Sequence, residues 1–156
     1  MKFIKDMVNN INSESLSRKW SNEERLELLS IDANKQERIK KLLFKHVDHD
    51  DENRSPVVFK KIKLVDLVGI NRAVPVDNWL DLLLHLHKKK NFDEFKGQDE
   101  FNKYVSSLNS GNGDCPHVLE VDNKYYIDGN GKHRLTIAKC LEMDEFPVFV
   151  SKLQNN

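Results

Sequence analysis

The stretch Asp128-Gly129-Asn130-Gly131-Lys132-His133-Arg134 puts one carboxylate, two glycines and three consecutive side-chain donors into seven residues. Tyr125-Tyr126-Ile127 before it favours a strand, and Leu135-Thr136-Ile137-Ala138-Lys139 after it favours a helix. Such a turn suits an anion. The first N–H groups of a helix have no intrahelical partner, and the helix dipole is positive at that end. The glycines allow close backbone approach and conformations closed to other residues. A basic first turn is unfavourable against the dipole, so it calls for a compensating anion or a structural ion pair. Arg134 is the leading phosphate ligand, because its planar fork matches two phosphate oxygens. Lys132 adds a point charge. His133 is a candidate both for phosphate binding and for acid–base work. Asp128 is a candidate to hold Mg²⁺ through water, to orient His133 or to cap the turn.

Other residues carry weaker signals. Arg72 stands just before an expected helix. Glu120 lies on the strand before the turn, and a solvated strand surface accounts for it. His46, Asp48, His49, Asp50 and Glu52 mix ligand types within seven residues but match no metal spacing, so they read as an acidic loop rather than a metal site. Lys88-Lys89-Lys90 reads as a solvated helix end. His85 and His87 point to different sides of a helix and cannot share a ligand. Cys115 and Cys140 fit neither a metal site nor a disulfide framework.

The elements that must position these groups follow from periodicity. Phe3, Ile4, Met7, Val8 and Ile11 have helical spacing. Ser21-Asn22-Glu23-Glu24 is a capping box that opens a helix to about Ser30. Asp32 caps the next, with Ile39, Leu42, Leu43, His46 and Val47 on one face. An acidic run and Asn53-Arg54-Ser55-Pro56 then break the pattern, which sets a boundary near residue 50 with a wholly helical chain before it. Val57 to Leu64 reads as a strand, and Val65 to Arg72 is ambiguous. Pro75 and Asp77 introduce a helix carrying Trp79, Leu80, Leu83, Leu84 and His87. Phe101, Tyr104, Val105 and Leu108 mark another, and 110–114 a loop. His117–Val121 and Lys124–Ile127 flank a two-residue hairpin turn, Asp122-Asn123. A helix from Lys132 to about Glu142 and a strand at Phe146–Val150 complete the chain. Pro147 argues for an edge or strand-start position.

Composition bounds the function. Lys+Arg and Asp+Glu are balanced at 25 each, which gives no argument for bulk attraction to nucleic acid or to an anionic membrane. The N-terminal residues form no signal-peptide core, and no apolar run reaches membrane-span length, so no membrane partner is expected. Cysteine usage fits a reducing, cytoplasmic setting.

The order strand, helix, hairpin, glycine turn, helix, strand over 57–150 resembles the ParB/sulfiredoxin superfamily. Its Gly-x-x-Arg motif reads here Gly131-Lys132-His133-Arg134, preceded by Asp128-Gly129, with Ile137-Ala138-Lys139 and Phe146-Pro147-Val148 at the positions of its small-residue helix and closing strand. Residues 1–50 have no counterpart in the family, and 88–114 resemble an insert. The resemblance implies an α+β fold: a helical N-terminal extension over 1–50 and a ParB/sulfiredoxin-like domain over 51–156. It also implies a nucleoside triphosphate, ATP or CTP, with its phosphates on Gly129, Asn130, Gly131, Lys132, His133, Arg134 and Arg72. With Mg²⁺, phosphoryl transfer or NTP hydrolysis would follow, and Asp128 and His133 would be the catalytic candidates. Lys132 stands where a sulfiredoxin has its cysteine, and no DNA-reading domain follows the motif before Asn156, so neither of those activities is expected. Two alternatives remain: a non-enzymatic module that binds DNA or a partner protein in a mobile-element, partition or defence system, and a ParB-like nuclease. The apolar N-terminal helices are equally suited to packing on the domain and to a homodimer contact.

Overall fold

A computed structural model describes residues 21–42, 44–50, 52–86, 98–108, 115–129 and 131–154. The expected helix at 1–12, Leu43, His87, Lys88–Lys90, the 110–114 loop and Asn130 lie outside the described residues.

The chain forms α1 (Asn22–Leu28), α2 (Ala33–Lys40), β1 (Lys45–His46), β2 (Val58–Lys63), a 3₁₀ turn (Leu64–Asp66) and β3 (Leu67–Ile70). Then come α3 (Trp79–Leu84), α4 (Gln98–Ser107), β4 (His117–Val121), β5 (Lys124–Ile127), α5 (Lys132–Cys140) and β6 (Glu145–Lys152). The fold is α+β, with one mixed sheet in the order β1-β3-β5-β4-β6-β2.

Local chemistry accounts for most of these elements. The Ser21 hydroxyl accepts from the Glu24 N–H at 3.1 Å, and Glu24 accepts from the Ser21 N–H at 3.0 Å, which completes the capping box. Asp32 accepts from the Lys35 N–H at 2.9 Å and Asn78 from the Asp81 N–H at 2.9 Å, which starts α2 and α3. Asp122 and Asn123 both take positive φ, 52° and 66°, as a two-residue hairpin turn requires between right-twisted strands.

Before residue 50 the chain is not wholly helical. The second helix stops at Lys40, and Lys45–His46 pair in parallel with Gly69–Ile70. A side chain at Gly69 would meet the Lys45 carbonyl oxygen at 2.0 Å, so only glycine permits this pairing. Leu29, Ile31, Ile39 and Phe44 join the same buried cluster as the sheet. The face expected for the second helix therefore splits: Ile39 is buried in α2, whereas His46 belongs to β1.

One face of the sheet presents Ile62, Ile70, Val118, Ile127, Phe146, Val148 and Val150 to the core. Trp79 is fully buried there and meets the edge of Phe44 at a centroid distance of 4.8 Å, while Phe101 tilts over Phe146 at 6.3 Å. Burying side chains of this size contributes about 1.5–3 kcal/mol each. On the opposite face Phe59, Phe149 and His117 form a row across β2, β6 and β4.

Pro147 stands in an interior strand, since β6 runs between β4 and β2. The Phe149 N–H bonds the Pro116 carbonyl on the β4 side. Two residues earlier the Pro147 nitrogen faces the same side, ahead of the first β4 pair at His117, so no ladder bond is lost.

Candidate functional site

β1, β3 and β5 are mutually parallel and neighbours in the sheet, so their carboxyl ends lie together. In open sheets this is where ligands bind, because the chain leaves each strand there in a loop. A cleft of about 350 Å³ opens at this end, lined by His49, Asp50, Ile70, Asn71, Arg72, Asp128 and Gly129. Apart from Ile70, the last residue of β3, these residues come from the segments that follow the three strands. Backbone bonds extend the strands into the loops: the Val47 N–H to the Ile70 carbonyl at 3.1 Å, and the Asn71 N–H to the Ile127 carbonyl at 2.8 Å.

A hydrogen-bonded knot forms the base. The Asn71 amide N–H₂ donates to Asp128 Oδ1 at 3.0 Å and to the His49 carbonyl at 2.9 Å, while its Oδ1 accepts from the His49 N–H at 2.8 Å. The Arg54 guanidinium donates to Asp128 Oδ2. It also donates to the His49 carbonyl at 3.1 Å and to the Asp50 carbonyl at 2.7 and 3.0 Å. The Arg54 and Asp128 side chains are only 11% and 17% exposed, so their attraction is weakly screened. Both oxygens of Asp128 are thus engaged. It is not an unencumbered base; it ties β5 to the loop after β1.

Around this base stand groups with capacity to spare. Arg72 is exposed, and its side chain makes no hydrogen bond or ion pair with any described residue. The half-buried His49 imidazole likewise has no partner among the described residues. Asp50 Oδ1 accepts from the Glu52 N–H at 3.1 Å, which leaves its other oxygen for the cleft.

The expected site residues separate into two groups. Arg72, Asp128 and Gly129 share the cleft wall, while Gly131, Lys132, His133 and Arg134 lie outside it. Gly131 is the N-cap of α5 with φ 103°, and a side chain there would strike Pro116 Cβ at 2.3 Å. Glycine is required by both conformation and space. The first turn of α5 holds no acidic residue and no side-chain cap. Lys132, His133 and Arg134 are half-buried, and the Arg134 guanidinium lies 5.3 Å from the centre of the Tyr104 ring.

Other candidates resolve as structural. Glu120 sits at the far end of the hairpin, opposite Tyr125, with Lys152 at 3.6 Å and Lys60 at 3.8 Å. His46 packs on the edge of the Phe44 ring at 5.2 Å, away from His49. Among the described residues no three His, Cys, Asp or Glu side chains converge as a metal site needs. Cys140 is buried with its Sγ 3.4 Å from the Trp79 carbonyl, and burial pushes its thiol pKa well up. Cys115 is buried near the Leu108 carbonyl.

The sequence did not point to Arg54, His49, Asp50 and Asn71 as one constellation. Arg54 lay in a chain-breaking stretch, and His49 and Asp50 in an acidic loop. The available signal was the pair Asn71-Arg72 at the end of an apolar run, which has the character of a strand-end loop in a parallel sheet. No described helix is long and apolar enough to cross a membrane. The chain matched no family model, no curated protein and no solved structure.

Proposed function

We propose that this chain binds the phosphate of a nucleotide at the carboxyl ends of β1, β3 and β5. Arg72 would hold the phosphate in the cleft, and the Gly129–Arg134 turn would supply backbone N–H groups and further positive charge beside it. The observation that carries this reading is that Arg72, without a described partner, shares a cleft wall with Asp128 and Gly129, which precede the Gly-x-x-Arg motif in the chain. A volume of about 350 Å³ falls in the range of small-molecule sites, about 300–1,000 Å³. The ParB/sulfiredoxin resemblance points to the same ligand class.

The proposal is one of binding. Asp128, the residue expected to hold Mg²⁺ or to act as base, has both oxygens engaged by Arg54 and Asn71. Asp50 alone offers a free carboxylate oxygen in the wall, and the described donors do not fit a resident Mg²⁺. A metal would have to arrive with the nucleotide.

Calorimetric titration with ATP and with CTP, each with and without Mg²⁺, tests the reading. Saturable binding is expected for at least one of them. Arg72→Met should weaken it about tenfold or more, the loss of one charge-assisted contact worth about 1.5–3 kcal/mol. Arg134→Met should weaken it as well if the phosphates reach α5. Absence of nucleotide binding, or equal binding by the Arg72 variant, rules the reading out.

A further inference from the structure

Among the described residues, the charge on the cleft wall is balanced to within one group. Its wall carries Asp50, Asp128 and Arg72, and Arg54 lies on Asp128 from the side. Two arginines therefore face two carboxylates, and the remaining titratable side chain of the wall is His49. With His49 neutral these described groups carry no net charge; with His49 protonated they are positive. Histidine is the side chain whose charge ordinarily changes between about pH 5 and 8.

The placement of His49 gives that charge a direction. Its backbone is clamped on both sides: the N–H by Asn71 at 2.8 Å, and the carbonyl by Asn71 at 2.9 Å and Arg54 at 3.1 Å. The loop is held while the imidazole is left without a partner among the described residues, on the same wall as Arg72. A fixed backbone beneath the ring leaves only the side-chain torsions to be ordered on binding.

From this geometry we infer that His49 is the second anion ligand of the cleft: protonated His49 and Arg72 together grip one phosphate group, and His49 sets whether the site attracts an anion. The Asp128–Arg54–Asn71 knot is the rigid base of that grip. Asp50 opposes it, so its carboxylate limits affinity. The inference rests on the phosphate-binding reading for the nature of the ligand, but it makes its own demand, a dependence of affinity on the charge of His49.

Inorganic sulfate is the suitable probe, because it stays dianionic throughout the range and its own titration cannot mimic that of the protein. Binding to the full chain is followed at constant ionic strength from about pH 5.5 to about pH 8. Wild type should lose roughly tenfold in sulfate affinity across this range, one charge-assisted contact. His49→Gln should bind weakly and without pH dependence. His49→Arg should bind at the low-pH strength throughout, and Asp50→Asn should bind more tightly than wild type at every pH. Far-ultraviolet circular dichroism establishes that each variant is folded; should His49→Gln not fold, His49→Arg and Asp50→Asn still decide. A wild-type affinity independent of pH, or the same profile in His49→Arg as in wild type, overturns the assignment. If ATP or CTP binds and depends on Arg72 while His49 variants keep the wild-type sulfate profile, the assignment of His49 falls and nucleotide binding stands. If sulfate behaves as described and no nucleotide binds, the nucleotide falls and His49 stands.

Discussion

Arg54 and Lys139 are both largely removed from water, and they are treated in opposite ways. Arg54 meets a carboxylate, Asp128, and the backbone carbonyls of His49 and Asp50. Lys139, on α5, is 8% exposed and makes no ion pair with a carboxylate among the described residues. Its ammonium donates to the Leu64 carbonyl and lies 5.4 Å from the centre of the Trp79 ring. One carbonyl and one ring face do not replace the lost hydration, and burial lowers its pKa to about 8. The difference lies in what surrounds each group. Arg54 borders a cleft and ties the loop after β1 to the segment after β5. Lys139 lies against the core and spans α5, α3 and the 3₁₀ turn, where it serves packing through its alkyl stem. A buried charge is evidence for a site when its partners converge on space.

The largest expected effect comes from removing Asp128. Asp128→Ala would remove the carboxylate that the largely buried Arg54 guanidinium meets, at a cost of about 3 kcal/mol in a denaturant melt. Arg54→Met should cost less, because Asn71 still bonds Asp128 Oδ1. In the double variant Asp128→Ala/Arg54→Met much of the first loss should return, since no buried charge remains. Equal and additive losses would show that the pair acts through packing alone, and the contrast with Lys139 would collapse.

These two centres also mark how far the sequence could be read. The helix starts at Ser21 and Asp32, the hairpin at Asp122-Asn123 and the helix after Gly131 are set by residues within four positions of one another, so they are legible locally. β1 has two residues and shows no periodicity; it exists because Gly69 lets Lys45 approach. β3 was ambiguous for the same reason, as its buried residues follow from parallel neighbours on both sides. The cleft joins positions 49, 54, 71 and 128, and no local pattern connects Arg54 with Asp128 across 74 positions. Three of the seven described residues of the expected site, Arg72, Asp128 and Gly129, do meet there, because each follows a parallel strand. Arg25 and Lys139 were invisible as buried groups, since a charge in an amphipathic pattern is read as facing water. Arg25 instead reaches the Leu84 carbonyl at the end of α3, where a cation complements the helix dipole.

A smaller effect distinguishes Lys139 by sign. Its folded pKa, about 8, lies below the ordinary lysine value of 10.5. Between these values the native state has released a proton that the unfolded chain still holds, so this group makes stability rise with pH across that window. Cys140 acts the other way. Burial keeps its thiol protonated in the native state above the ordinary 9.0, so the unfolded chain loses the proton first and stability falls as pH rises past 9. The two slopes oppose each other from about pH 9 to 10.5. Each is isolated by subtracting a variant's stability–pH curve from that of wild type. Lys139→Met should differ from wild type by no more than about 1 kcal/mol at neutral pH, because the relief of a buried charge offsets the loss of the bond to the Leu64 carbonyl. Its deficit relative to wild type should then grow from pH 8 to 10.5. Cys140→Ala should show the reverse trend above pH 9. A Lys139→Met difference that is flat across the alkaline range would mean that the ammonium keeps its ordinary affinity for the proton, and that carbonyl and ring replace water as effectively as Asp128 does for Arg54.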